Sequence, residues 1–137
     1  MSVAYELTFS HRYVYDSLIE GIQVPVVLKN GQERVDLLAR IDTGATYPLF
    51  QRDYGESLSL RVEEGERTTI ATVNGRFEAY GHELAIEVLG IEVAGVVYFY
   101  ADSGYNRNVL GRRGWLDRIR LGLSDHDHTL YLSQYDR

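Results

Sequence analysis

The sequence has no cysteine, which excludes disulfides, thiol nucleophiles and cysteine-ligated metal centres. That absence also fits a reducing compartment, and a cytoplasmic location is the expectation. Lys and Arg number 14 against 20 Asp and Glu, giving a net charge of −6, and the basic residues are scattered. Without the basic surface that neutralises phosphates, the reading is of a protein with no nucleic-acid partner. No apolar run approaches the roughly 20 residues that span a bilayer, and no basic segment followed by an apolar stretch opens the chain. Neither a membrane span nor a signal peptide is therefore expected. Internal repeats, linkers and low-complexity tracts are missing too, and there are only two prolines.

What is present suits a compact globule. The chain has 137 residues, 45% of them hydrophobic, enough for a core and one domain spanning residues 1–137. Most of it reads as short strands between turn signals. Residues 22–28 form a strand, Asn30-Gly31 marks a two-residue hairpin turn, and residues 34–41 return. After an irregular stretch with a helical turn within 53–60, residues 68–73 and 77–80 flank a second hairpin signal, Asn74-Gly75. Residues 84–89 and 93–100 are further strands, the latter apolar enough to be covered on both faces. Residues 102–108 read as a loop. Trp115, Leu116 and Ile119 have helical spacing and predict a short helix over 111–119. Two last strands bracket Asp125-His126-Asp127-His128. The fold class is mostly β, a small closed barrel with one short helix near the C-terminus.

The most informative string is Ile41-Asp42-Thr43-Gly44-Ala45, at the end of an apolar, β-prone run containing Val35, Leu37, Leu38 and Ile41. Aspartic proteases present a catalytic carboxylate on an aspartate at a strand tip followed by Thr-Gly. Their chemistry needs two such groups side by side sharing one proton, because like charges that close cannot both ionise. Only one convincing copy occurs here, so the second would come from another molecule, in a homodimer.

Three further features accompany the triplet: the apolar strand before it, an Asn-Gly hairpin about 30 residues later, and Asn108-Val109-Leu110-Gly111-Arg112 near the end. Taken together, over about 22–116, the chain resembles the retropepsins, the single-domain aspartic proteases of retroviruses, and more so their cellular and bacterial relatives. The resemblance implies a barrel-like acid-protease fold and an aspartic endopeptidase that acts on peptide or protein substrates and needs no metal and no cofactor. Asp42 matches the catalytic residue, and Thr43 one that hydrogen-bonds across the dimer. Gly44 and Ala45 match positions where substrate backbone passes. Residues 70–77 match a mobile flap, including Thr72 and Val73, with Asn74 and Gly75 at its tip. Tyr47, Arg107 and Val109 match positions near the specificity pockets, where Arg107 would favour an acidic substrate side chain. Arg112 matches a residue that brace the active-site loop in that family. Thr46 stands where retroviral enzymes usually carry an acid, and residues 1–21 and 117–137 lie outside the resemblance, where they either build a different dimer interface or block one.

Competing readings attach to several residues. Asp42 can instead be a turn aspartate capping local amides. Asp102-Ser103-Gly104 imitates a second catalytic triplet, but too little chain follows for a second lobe, and a loop is the better reading. His126 and His128 would point the same way on a strand, yet zinc needs three or four converging ligands, and an exposed turn is the simpler account. The eleven tyrosines mostly fall in strand segments and read as packing residues with a hydroxyl at the rim. At the level of function, the alternative is a non-catalytic dimerisation or peptide-binding module that keeps the fold.

Overall fold

The structure, a computed structural model, describes residues 2–135. Its main sheet starts with the hairpin of β2 (Gln23–Asn30) and β3 (Glu33–Ile41). Period-2 alternation buries Val24, Val26 and Leu28 from β2 and Leu37 and Ala39 from β3 on one face. The connecting pair is Gly31-Gln32, one residue later than the Asn-Gly signal suggests, because Asn30 still pairs with Glu33. Gly31 has φ +60° and Gln32 is not in the positive-φ region, the pattern of a type II′ turn, whereas Asn-Gly is the type I′ signature. Asn30 instead donates its side-chain amide to the Leu58 carbonyl (2.9 Å).

β4 (Leu49–Phe50) is followed by the short helix α1 (Arg52–Ser57) and a 3-10 turn at Val62–Glu64. β5 (Glu66–Thr72) and β6 (Gly75–Val88) then form a long hairpin, and β7 (Ile91–Tyr100) returns along β6. β6 is one 14-residue strand where sequence suggests two. Gly81, in the gap between those two, lies opposite Tyr98, and a Cβ there would come within 2.8 Å of that ring. The glycine therefore makes room for an aromatic neighbour without interrupting the ladder.

With β8 (Val109–Leu110), the strand order is β2-β3-β8-β4-β7-β6-β5, and β2 also pairs with β6. Pairings run parallel between β3 and β8 and between β4 and β7, and antiparallel elsewhere. β7 explains its near-continuous apolarity. Val97 and Phe99 enter the main core with Phe50, Leu110 and Trp115, while Tyr98 and Tyr100 point the other way into a second cluster with Leu49 and Val109.

The helix expected over 111–119 is replaced by turns ending in a 3-10 segment, Leu116–Arg118. Gly114 sits at φ +108°, outside helical space, and its carbonyl would lie 2.7 Å from a Cβ on Gly95. Close approach of two glycine backbones thus overrides the helical spacing of Trp115, Leu116 and Ile119.

The terminal segments make a second, three-stranded antiparallel sheet, β1-β10-β9, from β1 (His11–Val14), β9 (Ile119–Ser124) and β10 (Thr129–Gln134). Tyr15, Ile119, Leu130 and Leu132 join the main core, so this sheet packs on the rest. The 125–128 turn is used structurally: Asp125 accepts from the distant Tyr15 hydroxyl, Asp127 accepts from Ser124 (3.0 Å), and His128 takes a left-handed conformation. Among the described residues no three His, Asp or Glu side chains gather as a metal site, and no helix is long and apolar enough to cross a membrane.

Candidate active site

Ile41 pairs with Leu110 on the parallel neighbour β8, and one residue on, the Asp42 amide donates to the Leu110 carbonyl (3.1 Å). The chain then turns sharply: the Ala45 amide reaches back to the Asp42 carbonyl (3.1 Å). From the far side, the amides of Arg112 and Arg113 donate to the carbonyls of Ala45 (2.9 Å) and Thr46 (2.7 Å). Loop 42–48 is thereby stitched to the segment after β8 by backbone alone. Gly111 makes this possible, since a Cβ there would meet the Tyr47 carbonyl carbon and oxygen at 2.4 Å.

Asp42 Oδ1 accepts the Gly44 amide (2.9 Å), the local capping bond of an Asx-type turn. Oδ2 makes no hydrogen bond within reach; Arg107 Nη2 stands 3.9 Å away. The carboxylate is about one-third exposed, at 31%, and forms part of the wall of a cleft of about 1130 Å³.

The β5–β6 hairpin forms the other side of that cleft. Thr69 to Asn74 and Phe77 line it opposite Asp42, Gly44 and Ala45. The hairpin loop is Val73-Asn74, with Thr72 paired to Gly75, so the tip also lies one residue earlier than the Asn-Gly signal suggests. Gly75 has φ +129°, a value side-chain-bearing residues rarely adopt. Thr72 fastens the tip, its hydroxyl accepting from the Asn74 amide (3.2 Å) and donating to the Gly75 carbonyl (3.3 Å), while Val73 is fully exposed.

An aromatic group closes the back of the cleft, and reading tyrosines only as strand packing does not anticipate it. Tyr100 stacks on Tyr105 with ring centroids 4.7 Å apart, Phe77 meets Tyr105 edge-on at 4.7 Å, and Tyr47 leans on Tyr98 at 4.7 Å. The hydroxyls of Tyr98 and Tyr100 are both harder to ionise than usual. Burial is the first cause in each; Glu66 and Tyr47 add to it for Tyr98, and for Tyr100 the Arg107 charge opposes the shift while Tyr105 adds to it. Loop 101–108 is held at both ends. The Ala101 amide donates to the Glu78 carbonyl (2.9 Å), and Asn108 exchanges two 2.8 Å bonds with Gln51 while accepting the Arg40 amide at its carbonyl (2.9 Å). Asn108 gives no sign of this role in sequence, because its partners lie 57 and 68 positions away.

Of the residues singled out from sequence, the cleft brings together Asp42, Gly44, Ala45, Tyr47, Thr72, Val73, Asn74, Arg107 and Val109. Thr43 lines instead a smaller groove of about 330 Å³, which Asp42 also borders and which Ile22, Arg40, Ile41, Leu121, Leu123 and Leu130 complete. Gly75 lies just behind the hairpin tip, outside the cleft lining. Arg112 contributes its backbone amide to loop 42–48, but its exposed guanidinium makes no ion pair among the described residues. Asp102 is exposed and does not line the cleft.

No family model and no curated protein matches the chain. Solved structures do. One is the EIAV protease complexed with the inhibitor HBY-793, which superposes with a TM-score of 0.55 at 20% identity, covering 72% of this chain and 88% of that one. At such identity the likeness speaks for architecture alone: the chain has a retropepsin-like fold.

Proposed function

We propose that the protein is an aspartic endopeptidase that works as a homodimer, with one Asp42 from each molecule forming the catalytic pair. One observation carries the reading. In a fold shared with the EIAV protease, the Asp-Thr-Gly aspartate stands at a strand tip with one oxygen turned to a cleft that a hairpin faces from the other side.

Two such carboxylates would share a single proton and titrate as a coupled pair. The ionised member takes a proton from a water while the protonated member donates one to the peptide carbonyl. Water attack yields a tetrahedral intermediate with no acyl-enzyme. In its collapse the carboxyl that now holds the proton passes it to the nitrogen, the C–N bond breaks, and a hydroxyl of the intermediate gives its proton to the other carboxylate, leaving the pair singly protonated again. Movement of the β5–β6 tip over substrate would exclude bulk water. An extended peptide would bind by main-chain hydrogen bonds, with side chains entering pockets near Tyr47, Arg107 and Val109. Thr43 would lie toward the partner, and Gly44 and Ala45 would leave room for substrate backbone.

Digestion of casein and a peptide library across about pH 3 to 7, with and without a pepstatin-type inhibitor, tests this reading. Inhibitable cleavage that disappears in Asp42→Asn is the expected result. A second reading, a peptide-binding module without catalysis, draws on Thr46 in place of the usual acid and on an Arg112 guanidinium that makes no ion pair among the described residues. Tight peptide binding with no turnover at any pH would establish that reading instead.

A further inference from the structure

Among the described residues lining the cleft, Asp42 is the one carboxylate and Arg107 the one cation; the remaining lining is glycine, aliphatic, aromatic, hydroxyl or amide. Arg107 spends little of its hydrogen-bonding capacity inside the protein. Its Nη2 faces Asp42 Oδ2 across 3.9 Å, beyond hydrogen-bond reach, and its Nε and Nη1 have no acceptor among the described residues. The side chain is 49% exposed, with its head open to the cleft.

The backbone beneath it is fixed. Two residues earlier, Tyr105 is wedged between Tyr100 and Phe77; one residue later, Asn108 is pinned to Gln51 and Arg40. A guanidinium is a planar fork of donors that matches a carboxylate edge to edge, and one held at its base loses less freedom on binding. The protein's net charge of −6 repels acidic ligands at long range, so attraction of an acidic peptide has to come from a local group such as this one.

We infer that Arg107 is a specificity residue that receives the carboxylate of an acidic side chain on a peptide bound in the cleft, next to positions taking large apolar or aromatic side chains. Nη2 stays toward Asp42, and the end edge of the guanidinium, led by Nη1, meets the ligand. The inference rests on the protease reading only in taking a peptide as the ligand; it requires no turnover.

The test uses the full chain and a peptide library in which Glu and Gln, and Lys in a third arm, alternate at each position. It is read in two ways: by cleavage, and by capture on immobilised protein. Glu over Gln at one position is expected by about tenfold near pH 6, in kcat/KM and in capture. The preference fades below about pH 4 as the peptide carboxyl protonates. In Arg107→Gln the Glu/Gln ratio falls to about one, and in Arg107→Glu the favoured residue becomes Lys. Capture with Glu preference but no cleavage would support the inference while overturning the protease reading. Equal handling of Glu and Gln peptides, a preference that survives Arg107→Gln, or an Arg107→Gln effect equal for all peptides would overturn it, the last marking Arg107 as merely a structural partner of Asp42.

Discussion

Asp42 divides its carboxylate between two tasks, with Oδ1 closing its own turn on Gly44 and Oδ2 left toward the cleft. The capping role and the catalytic role are thus compatible in one side chain. Asp42→Asn keeps an oxygen for the Gly44 amide while removing the ionisable group, so peptidase activity should vanish with little change in melting temperature. Asp102→Asn, on an exposed loop outside the cleft, should leave activity intact; loss of activity in Asp102→Asn but not in Asp42→Asn would reverse the assignment. The turn at Asp42 was legible because its signal is local: strand, aspartate, Thr-Gly. The Tyr15–Asp125 pair was not, since it joins residues 110 positions apart. Burial, then the hydrogen bond and charge of Asp125, push the Tyr15 hydroxyl up to about 12. The fold therefore favours the neutral phenol, and the stability this contributes is present below about pH 10 and lost between about 10 and 12. Absorbance titration of Tyr15→Phe should lack one late-ionising tyrosine, and its stability should decline less steeply across that window.

At the scale of elements, hairpins were visible and their turns were displaced by one residue. Composition marks where a chain reverses, while the paired residues on either side decide which two form the loop. Asn30 bonds Leu58, 28 residues away, and Asn74 sits in a loop set by the Thr72 hydroxyl. The expected helix after β8 failed for a comparable reason, as the close approach of Gly114 to Gly95 depends on β7 lying alongside. Gly111 shows the same dependence at the site. Gly111→Ala would drive a Cβ into the Tyr47 and Ala45 carbonyls, both on the loop whose Ala45 amide is bonded to the Asp42 carbonyl. A loss of about 1–3 kcal/mol in urea unfolding and a fall in activity beyond that expected from stability are predicted. Unaltered activity would mean that loop 42–48 is not held by this contact.

For the molecule as a whole, sequence pattern conveys a mostly β chain, but not the association of its ends. The two last strands are readable as neighbours across the 125–128 turn, but β1 carries no strand signal of its own, and the sheet the three form borders the groove beside Thr43. Acid should weaken the whole structure in a definable window. Arg52, which also binds Glu56 and the Ala101 carbonyl, holds the Glu63 carboxyl below its usual range, and Arg67 does the same for Glu78. Lowered carboxyl values mean stability that is present above the ordinary carboxylate range and lost as pH falls below it. The urea midpoint should therefore drop between pH 6 and pH 3, and Arg52→Gln should narrow that drop; an unchanged difference would place the acid sensitivity elsewhere.

The central claim is that two copies of Asp42 meet in one site, and subunit mixing tests it most directly. Wild-type and Asp42→Asn chains would be unfolded together, refolded in equal amounts and assayed at fixed total concentration. If each active unit needs an intact aspartate from both molecules, activity should be about a quarter of the all-wild-type value. Activity of about half, falling linearly with the wild-type fraction, would show that each chain works alone and would contradict the account.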